Sequence, residues 1–145
     1  MQLPLSTFLL LSATTALATR LSVAVDAEWT IEGLSRTCDD ADTTCLWTFG
    51  IDTNEEGAEV VAANYTVNAS SDAPASRAIG GPEAFGNYTV TSTWSGQFGE
   101  GEGFTTLSVI DYGKGLIVYP GYRDVEIPNG KVYTPDKSYP VQQIP

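Results

Sequence analysis

Side chains alternate between apolar and polar with a period of two along most of this chain. That alternation constrains the fold more than any other feature. Val23, Val25, Ala27, Trp29 and Ile31 share one parity; Asp26, Glu28, Thr30 and Glu32 share the other. A strand turns successive side chains to opposite faces, so the pattern is that of a sheet with one face in a core. Cys45, Trp47, Phe49 and Ile51 repeat it beyond the polar run from Arg36 to Cys45, which predicts a β-hairpin closed by an acidic turn. A third strand turns Ala63, Tyr65, Val67 and Ala69 inward and Asn64, Thr66 and Asn68 outward. A fourth sets Tyr88, Val90 and Trp94 against Thr89, Thr91 and Thr93. Phe104 to Ile110, Leu116 to Tyr119 and Lys131 to Thr134 predict three more.

The stretch from Ser70 to Gly86, rich in Ser, Ala, Pro and Gly, reads as a long loop. Tyr122 to Ile127 reads as a short helical turn. Beyond the N-terminus no long stretch keeps a helical apolar period with caps. The expected fold is all-β: a small antiparallel sandwich or barrel of about six to eight short strands.

The N-terminus breaks the alternation. An apolar stretch from Leu3 to Leu11 is followed by Ala16-Leu17-Ala18, a small-x-small cleavage pattern. Residues 1–18 are therefore expected to be a signal peptide, and residues 19–145 a single secreted β domain. The alternative for this stretch is a buried N-terminal strand or helix. It is shorter than the roughly 20 apolar residues that span a bilayer, and no C-terminal lipid-anchor pattern follows Tyr139. The expected location is extracellular, without membrane insertion.

All charged side chains lie beyond Ala18, so the net charge of −11 belongs to the mature domain. Such a charge repels phosphate backbones and anionic lipid heads, so nucleic acid is not an expected partner. It favours solubility and cationic partners. A monomer is expected.

Cys38 and Cys45 are the two cysteines, and an exported chain is expected to bond them to each other. Closing so short a loop restricts the unfolded chain by about 2.5 kcal/mol in the loop-entropy account. The six intervening residues do not fit a CxxC redox motif, and no histidine exists to complete a zinc site.

Three glycosylation sequons occur, at Asn64, Asn68 and Asn87. Asn64 and Asn68 fall on the polar parity of their strand, and Asn87 opens the polar face of the next. Asp52 to Gly57 imitates the start of an EF-hand loop, but its twelfth position is Ala63 rather than a bidentate Glu. Asp52 to Gly57 and the acids Asp39, Asp40 and Asp42 both read as solvated turns, and no metal or cofactor is expected. Gly99, Gly101 and Gly103 are interleaved with Glu100 and Glu102, which would repel phosphate, so that run reads as a turn.

Catalysis lacks equipment. Without histidine, a Ser-His-Asp or Cys-His arrangement cannot be built. Paired carboxylates could hydrolyse a glycoside, but none of the eighteen acids is marked by its context. No catalytic residue is assigned. Trp29, Trp47 and Trp94 all take inward parity, which favours core packing over sugar stacking. Tyr112, Tyr119, Tyr122 and Tyr133, near turns, are better candidates for exposed aromatics.

Trp29-Thr30-Ile31-Glu32, Arg36-Thr37-Cys38-Asp39 and Cys45-Leu46-Trp47-Thr48-Phe49-Gly50-Ile51-Asp52 form an unusual combination. It continues in Tyr88-Thr89-Val90-Thr91-Ser92-Thr93-Trp94-Ser95-Gly96-Gln97-Phe98-Gly99 and Gly103-Phe104-Thr105-Thr106-Leu107. It ends in Leu116-Ile117-Val118-Tyr119-Pro120, Tyr122 and Thr134-Pro135-Asp136-Lys137-Ser138-Tyr139. Over nearly the whole mature chain it resembles the fungal small secreted hypersensitive-response-inducing, or elicitor, proteins. The resemblance implies an exported, compact, β-rich protein, of a kind some members of which trigger defence and cell death in plant tissue. It also implies a second cysteine pair near Asn64 and Phe85, both of whose members are absent here together.

The expected function is therefore that of a non-enzymatic, elicitor- or effector-like protein recognising a plant cell-surface component or a cell-wall glycan. The alternatives are a cell-wall or carbohydrate-binding module and, less favoured, a carboxylate-dependent glycosidase.

Overall fold

The structure, a computed structural model, describes residues 26–145. The expected signal peptide at 1–18, the mature start at Thr19 and the pair Val23 and Val25 lie outside the described residues. Ten strands form two antiparallel sheets. They are β1 (Glu28–Cys38), β2 (Thr44–Asp52), β3 (Val61–Asn68), β4 (Gly80–Phe85), β5 (Tyr88–Ser95), β6 (Phe104–Asp111), β7 (Leu116–Val118), β8 (Gly121–Arg123), β9 (Lys137–Pro140) and β10 (Gln142–Gln143). The first sheet runs β3-β2-β1-β9; the second runs β10-β7-β6-β5-β4, with β8 also paired to β6. The all-β expectation holds, with more strands than the sequence predicts.

The sheets enclose one core. Trp29, Ile31, Trp47, Phe49, Ile51, Ala63, Tyr65 and Val67 from the first meet Tyr88, Val90, Leu107, Val109 and Val118 from the second. β2 and β3 bury the predicted parity and expose the other. At one side the chain passes from β9 of the first sheet straight into β10 of the second. At the other side β4 lies against β3, so the sandwich is nearly closed into a flattened barrel.

That second seam explains Gly80. A Cβ there would sit 2.2 Å from Tyr65 Oη and 2.6 Å from Val67 Cγ2. The space belongs to Tyr65, whose hydroxyl shares a 2.9 Å hydrogen bond with Ser92. Asn64 and Phe85, near which the resemblance implied a second disulfide, lie on β3 and β4 respectively. Close packing at Gly80 holds together the same two strands.

Three expectations need correction. First, Ser70 to Gly86 is not all loop: it holds the 3-10 turn Ala75–Arg77 and strand β4. The sequence Gly-Gly-Pro-Glu-Ala-Phe lacks alternation because its pairing to β5 shifts register between Gly80 and Glu83. Second, β1 runs on to Cys38 instead of ending near Glu32. Gly33, at a φ of 56°, forms a bulge where register shifts between Glu32 and Ser35. The inserted residue moves Leu34 and Arg36 onto the buried face. Third, Lys131 to Thr134 is not a strand. It touches β1 by single bonds, Tyr133 N–H donating to the Leu34 carbonyl at 2.7 Å, before Pro135 removes the next donor. The last strands fall later, at β9 and β10. The turn expected within 122–127 is present as the 3-10 turn Asp124–Glu126.

Candidate functional site

Four loops meet at one end of the barrel, and the glycine bulge in β1 supplies their centre. Gly33 turns Arg36 inward, leaving it 8% exposed. A charge in that position needs partners. Arg36 lies 5.4 Å over the Trp47 ring and donates to Asp124 Oδ1 at 3.1 Å and to the Ser76 carbonyl at 3.5 Å. Asp124 Oδ2 accepts the Trp94 indole N–H at 2.9 Å. One carboxylate thus joins β1, the 3-10 turn after β8 and the end of β5.

Trp94 departs from its predicted burial. Parity points it inward, but it sits beyond Ser92 where the core ends, and it is half-buried. Its ring rests against two glycines. A Cβ on Gly96 would lie 2.5 Å from Trp94 Cη2, and one on Gly103 would lie 2.7 Å from Cζ2 and 2.6 Å from Asp124 Oδ2. The Arg77 guanidinium sits 4.8 Å over the ring. Arg77 has no ion-pair partner among the described residues. These groups border a cavity of about 590 Å³ with Gly99, Glu100, Gly101 and Val125. The glycine run is a turn, as read: Glu102 N–H donates to the Gly99 carbonyl at 3.2 Å. It borders the cavity.

On the far side of Asp124 lies a second cavity of about 350 Å³, bordered by Arg36, Asp39, Asp40, Asp42 and Asn129. The bridged hairpin forms its wall. Cys38 and Cys45 are bonded to each other and are directly opposed in the β1–β2 register. Asp39 ties the turn, accepting from Thr43 N–H at 2.7 Å and from Thr44 N–H at 3.0 Å. The Thr43 hydroxyl and these amides hold its carboxyl below the usual aspartate range. Asp42 accepts from Ser76 N–H at 2.8 Å and from the Ser76 hydroxyl. These acids are committed to stitching loops together.

The turn at Asp52 to Gly57 is spent likewise. Asp52 accepts from Asn54 N–H at 2.8 Å, and Asn54 Nδ2 donates to the Glu28 carbonyl at 2.9 Å. Asn64, Asn68 and Asn87 all reach solvent. The first two lie on the outer face of β3, and Asn87 lies in the β4–β5 turn. Trp29 and Trp47 are buried as predicted. Of the four tyrosines named as candidates for exposure, Tyr112 and Tyr119 are exposed. Tyr122 is instead in the core, packed edge-to-face 5.1 Å from the half-buried Tyr133. Burial pushes the Tyr139 phenol up to about 12 and moves Tyr122 further in the same direction. Among the described residues no helix is long and apolar enough to cross a membrane.

The cluster offers a stacked Arg–Trp pair, glycine backbone and a committed carboxylate. That is equipment for binding a surface; no nucleophile is paired with a base within it. Comparison with known proteins agrees with the kind of chain the fold suggests. A family model described as Effector TSP1 matches residues 30–144, from the third residue of β1 to the penultimate residue. The chain belongs to the Effector TSP1 family. A relative in this family, Effector TSP1 of Hypocrea virens (strain Gv29-8 / FGSC 10586), is 46% identical over 128 residues, 88% of this chain and 84% of the relative. The fungal effector and elicitor kinship read from the motifs is therefore shown at the level of the family. The matched span includes Arg36, Arg77, Trp94 and Asp124, so the whole loop cluster lies inside the family's domain.

Proposed function

We propose that this chain is an exported fungal effector that acts on plant tissue without catalysis, by presenting a folded surface to a host component. The observation that carries the reading is family membership across nearly the entire folded domain. Elicitation of host defence, including a hypersensitive response, is the activity proposed for it. The surface proposed to act is the end of the barrel where Arg77 stacks on Trp94 beside the 590 Å³ cavity. Export is supported by the N-terminal pattern before Thr19 and by the Cys38–Cys45 bond, which suits an oxidising exterior. N-linked glycans on Asn64, Asn68 and Asn87 are part of the same proposal, since all three side chains reach solvent. The absence of histidine from the whole sequence supports a non-enzymatic role.

The test is infiltration of purified folded protein into leaves of several hosts. Local defence-gene induction or cell death is expected. No response in any host, at doses where an established elicitor acts, would overturn the proposal.

A further inference from the structure

A strand at the end of a sheet presents unpaired backbone groups, and such an edge recruits further strands unless something stops it. Most edges of this fold carry a guard. β10 has two residues and β8 three. β9 has four, opening on Lys137 and closing on Pro140. β4 contains Pro82 and Glu83, and its register shifts between Gly80 and Glu83. Short length, a Lys, a Pro and a broken register each discourage pairing. β3 is the exception. It ends the first sheet, and among the described residues its ladder runs to β2 alone. Its sequence, Val-Ala-Ala-Asn-Tyr-Thr-Val-Asn, holds no charge, no Pro and no Gly. It pairs with β2 from Val61 to Asn68 without a register shift. β4 meets it through side chains, Gly80 lying against the inward Tyr65 and Val67, and no ladder joins the two strands. A chain of net charge −11 thus places none of its charge on its longest described edge strand.

What β3 does carry is two sequons, with Asn64 and Asn68 both exposed on its outer face. From this we infer that N-glycans on Asn64 and Asn68 guard the β3 edge, doing with sugar what Lys and Pro do elsewhere in the fold. The inference rests on the occupancy of these sequons proposed above. Its mechanism is steric. A strand added beside β3 would set its side chains about 5 Å from those of Asn64 and Asn68. A glycan at either position fills that space. The two asparagines are four residues apart, roughly 13 Å along the strand, so together they cover a span that any added strand of ordinary length must cross. The fold accepts the modification without rearrangement. Asn68 takes a hydrogen bond from the Thr44 hydroxyl at 3.3 Å through Oδ1, which leaves Nδ2 for the sugar. Without glycans the strand is an uncharged run rich in β-forming residues, of the kind that stacks edge to edge.

The experiment uses the protein as a fungal host secretes it, with its glycans attached. Intact mass before and after endoglycosidase trimming reports the occupancy of each site. The native protein, the double variant Asn64→Gln/Asn68→Gln and the control Asn87→Gln, whose sequon lies in the β4–β5 turn, are then followed by light scattering and thioflavin T fluorescence. The double variant is expected to self-associate into thioflavin-positive material at about one-tenth of the native concentration or less, with an unchanged melting temperature. The control is expected to behave as native. Adding Thr66→Lys to the double variant puts a charge on the bare edge and is expected to reverse the change. Should the double variant be poorly secreted, trimming the folded native protein to the first sugar of each glycan replaces it, with the same expected direction. Three results overturn the inference: a double variant that stays as dispersed as native, association that Thr66→Lys does not relieve, or equal association of Asn87→Gln. Unoccupied sites at Asn64 and Asn68 would remove the inference together with the glycan reading beneath it. Occupied sites with a dispersed double variant would remove the inference alone.

Discussion

Asp124→Ala removes the carboxylate that serves two partners at once. Arg36 is nine-tenths buried and Asp124 about one-third exposed, with 3.1 Å between charged atoms. Deleting one partner of a fully buried pair costs about 3–5 kcal/mol, whereas an exposed pair contributes about 0–1 kcal/mol. The exposure of Asp124 puts this pair between those limits, at about 2 kcal/mol. The Trp94 indole also loses its 2.9 Å acceptor, a further loss of about 0.5–1 kcal/mol because the half-buried ring can turn to water. The total is about 2.5–3 kcal/mol, a fall in melting temperature on the order of 10 °C for a domain of this size. Urea unfolding followed by tryptophan fluorescence measures it. A cycle with Arg36→Met isolates the pair. The double variant is expected to be more stable than the summed single losses by about 1–2 kcal/mol, since it leaves no orphaned charge. A loss below about 0.5 kcal/mol in Asp124→Ala, or no coupling in the cycle, would refute the claim that this carboxylate locks the loop cluster.

Other perturbations test the frame around that site. Cys38→Ser opens the bridge between opposed strands and should lower unfolding free energy by about 2.5 kcal/mol with little change in far-ultraviolet circular dichroism. Gly80→Ala forces a methyl into the space of Tyr65 Oη and should cost about 1–3 kcal/mol by overpacking, with Tyr65→Phe in the same background restoring part of it. Spectrophotometric titration at 295 nm should show Tyr65, Tyr88, Tyr122 and Tyr139 ionising late, because burial raises each. For Tyr139 the folded value of about 12 lies above the unfolded 10.0. Its share of stability is therefore intact below pH 10 and is lost as pH climbs toward 12, so unfolding should set in across that alkaline window. Complete titration at the free-phenol value with the fold intact would contradict the packing of this cluster.

Much of this could be read before any coordinates were known, because β2, β3 and β6 bury every second residue without interruption and β5 does so as far as Ser92. Periodicity failed where the backbone breaks its own rhythm. Gly33 inserts a residue, so Arg36 looks solvent-facing when counted from Ile31 and is buried in the fold. A lone glycine within an alternating run is the signal that could have revealed this. β4 was hidden by Gly81 and Pro82, residues common in loops, yet its position follows from Gly80, where the Tyr65 hydroxyl leaves no room for a Cβ. Trp94 shares parity with Val90 but lies past the end of the core, and the flanking Gly96 and Gly103 hint at a ring lying flat on backbone. The loop cluster escaped notice for a further reason. Arg36, Arg77, Trp94 and Asp124 come from four distant segments, and only the closing of the barrel brings them together.

The most direct measurement is the leaf dose–response of Arg77→Ala beside the native protein. Arg77 is exposed, stacks over Trp94 and bonds to no acid among the described residues, so its loss should leave the melting temperature within a few degrees of native. If the Arg77–Trp94 end of the barrel is what the host meets, the variant should need at least a tenfold higher dose for the same response. Equal potency, or an equal response to heat-unfolded native protein, would contradict it.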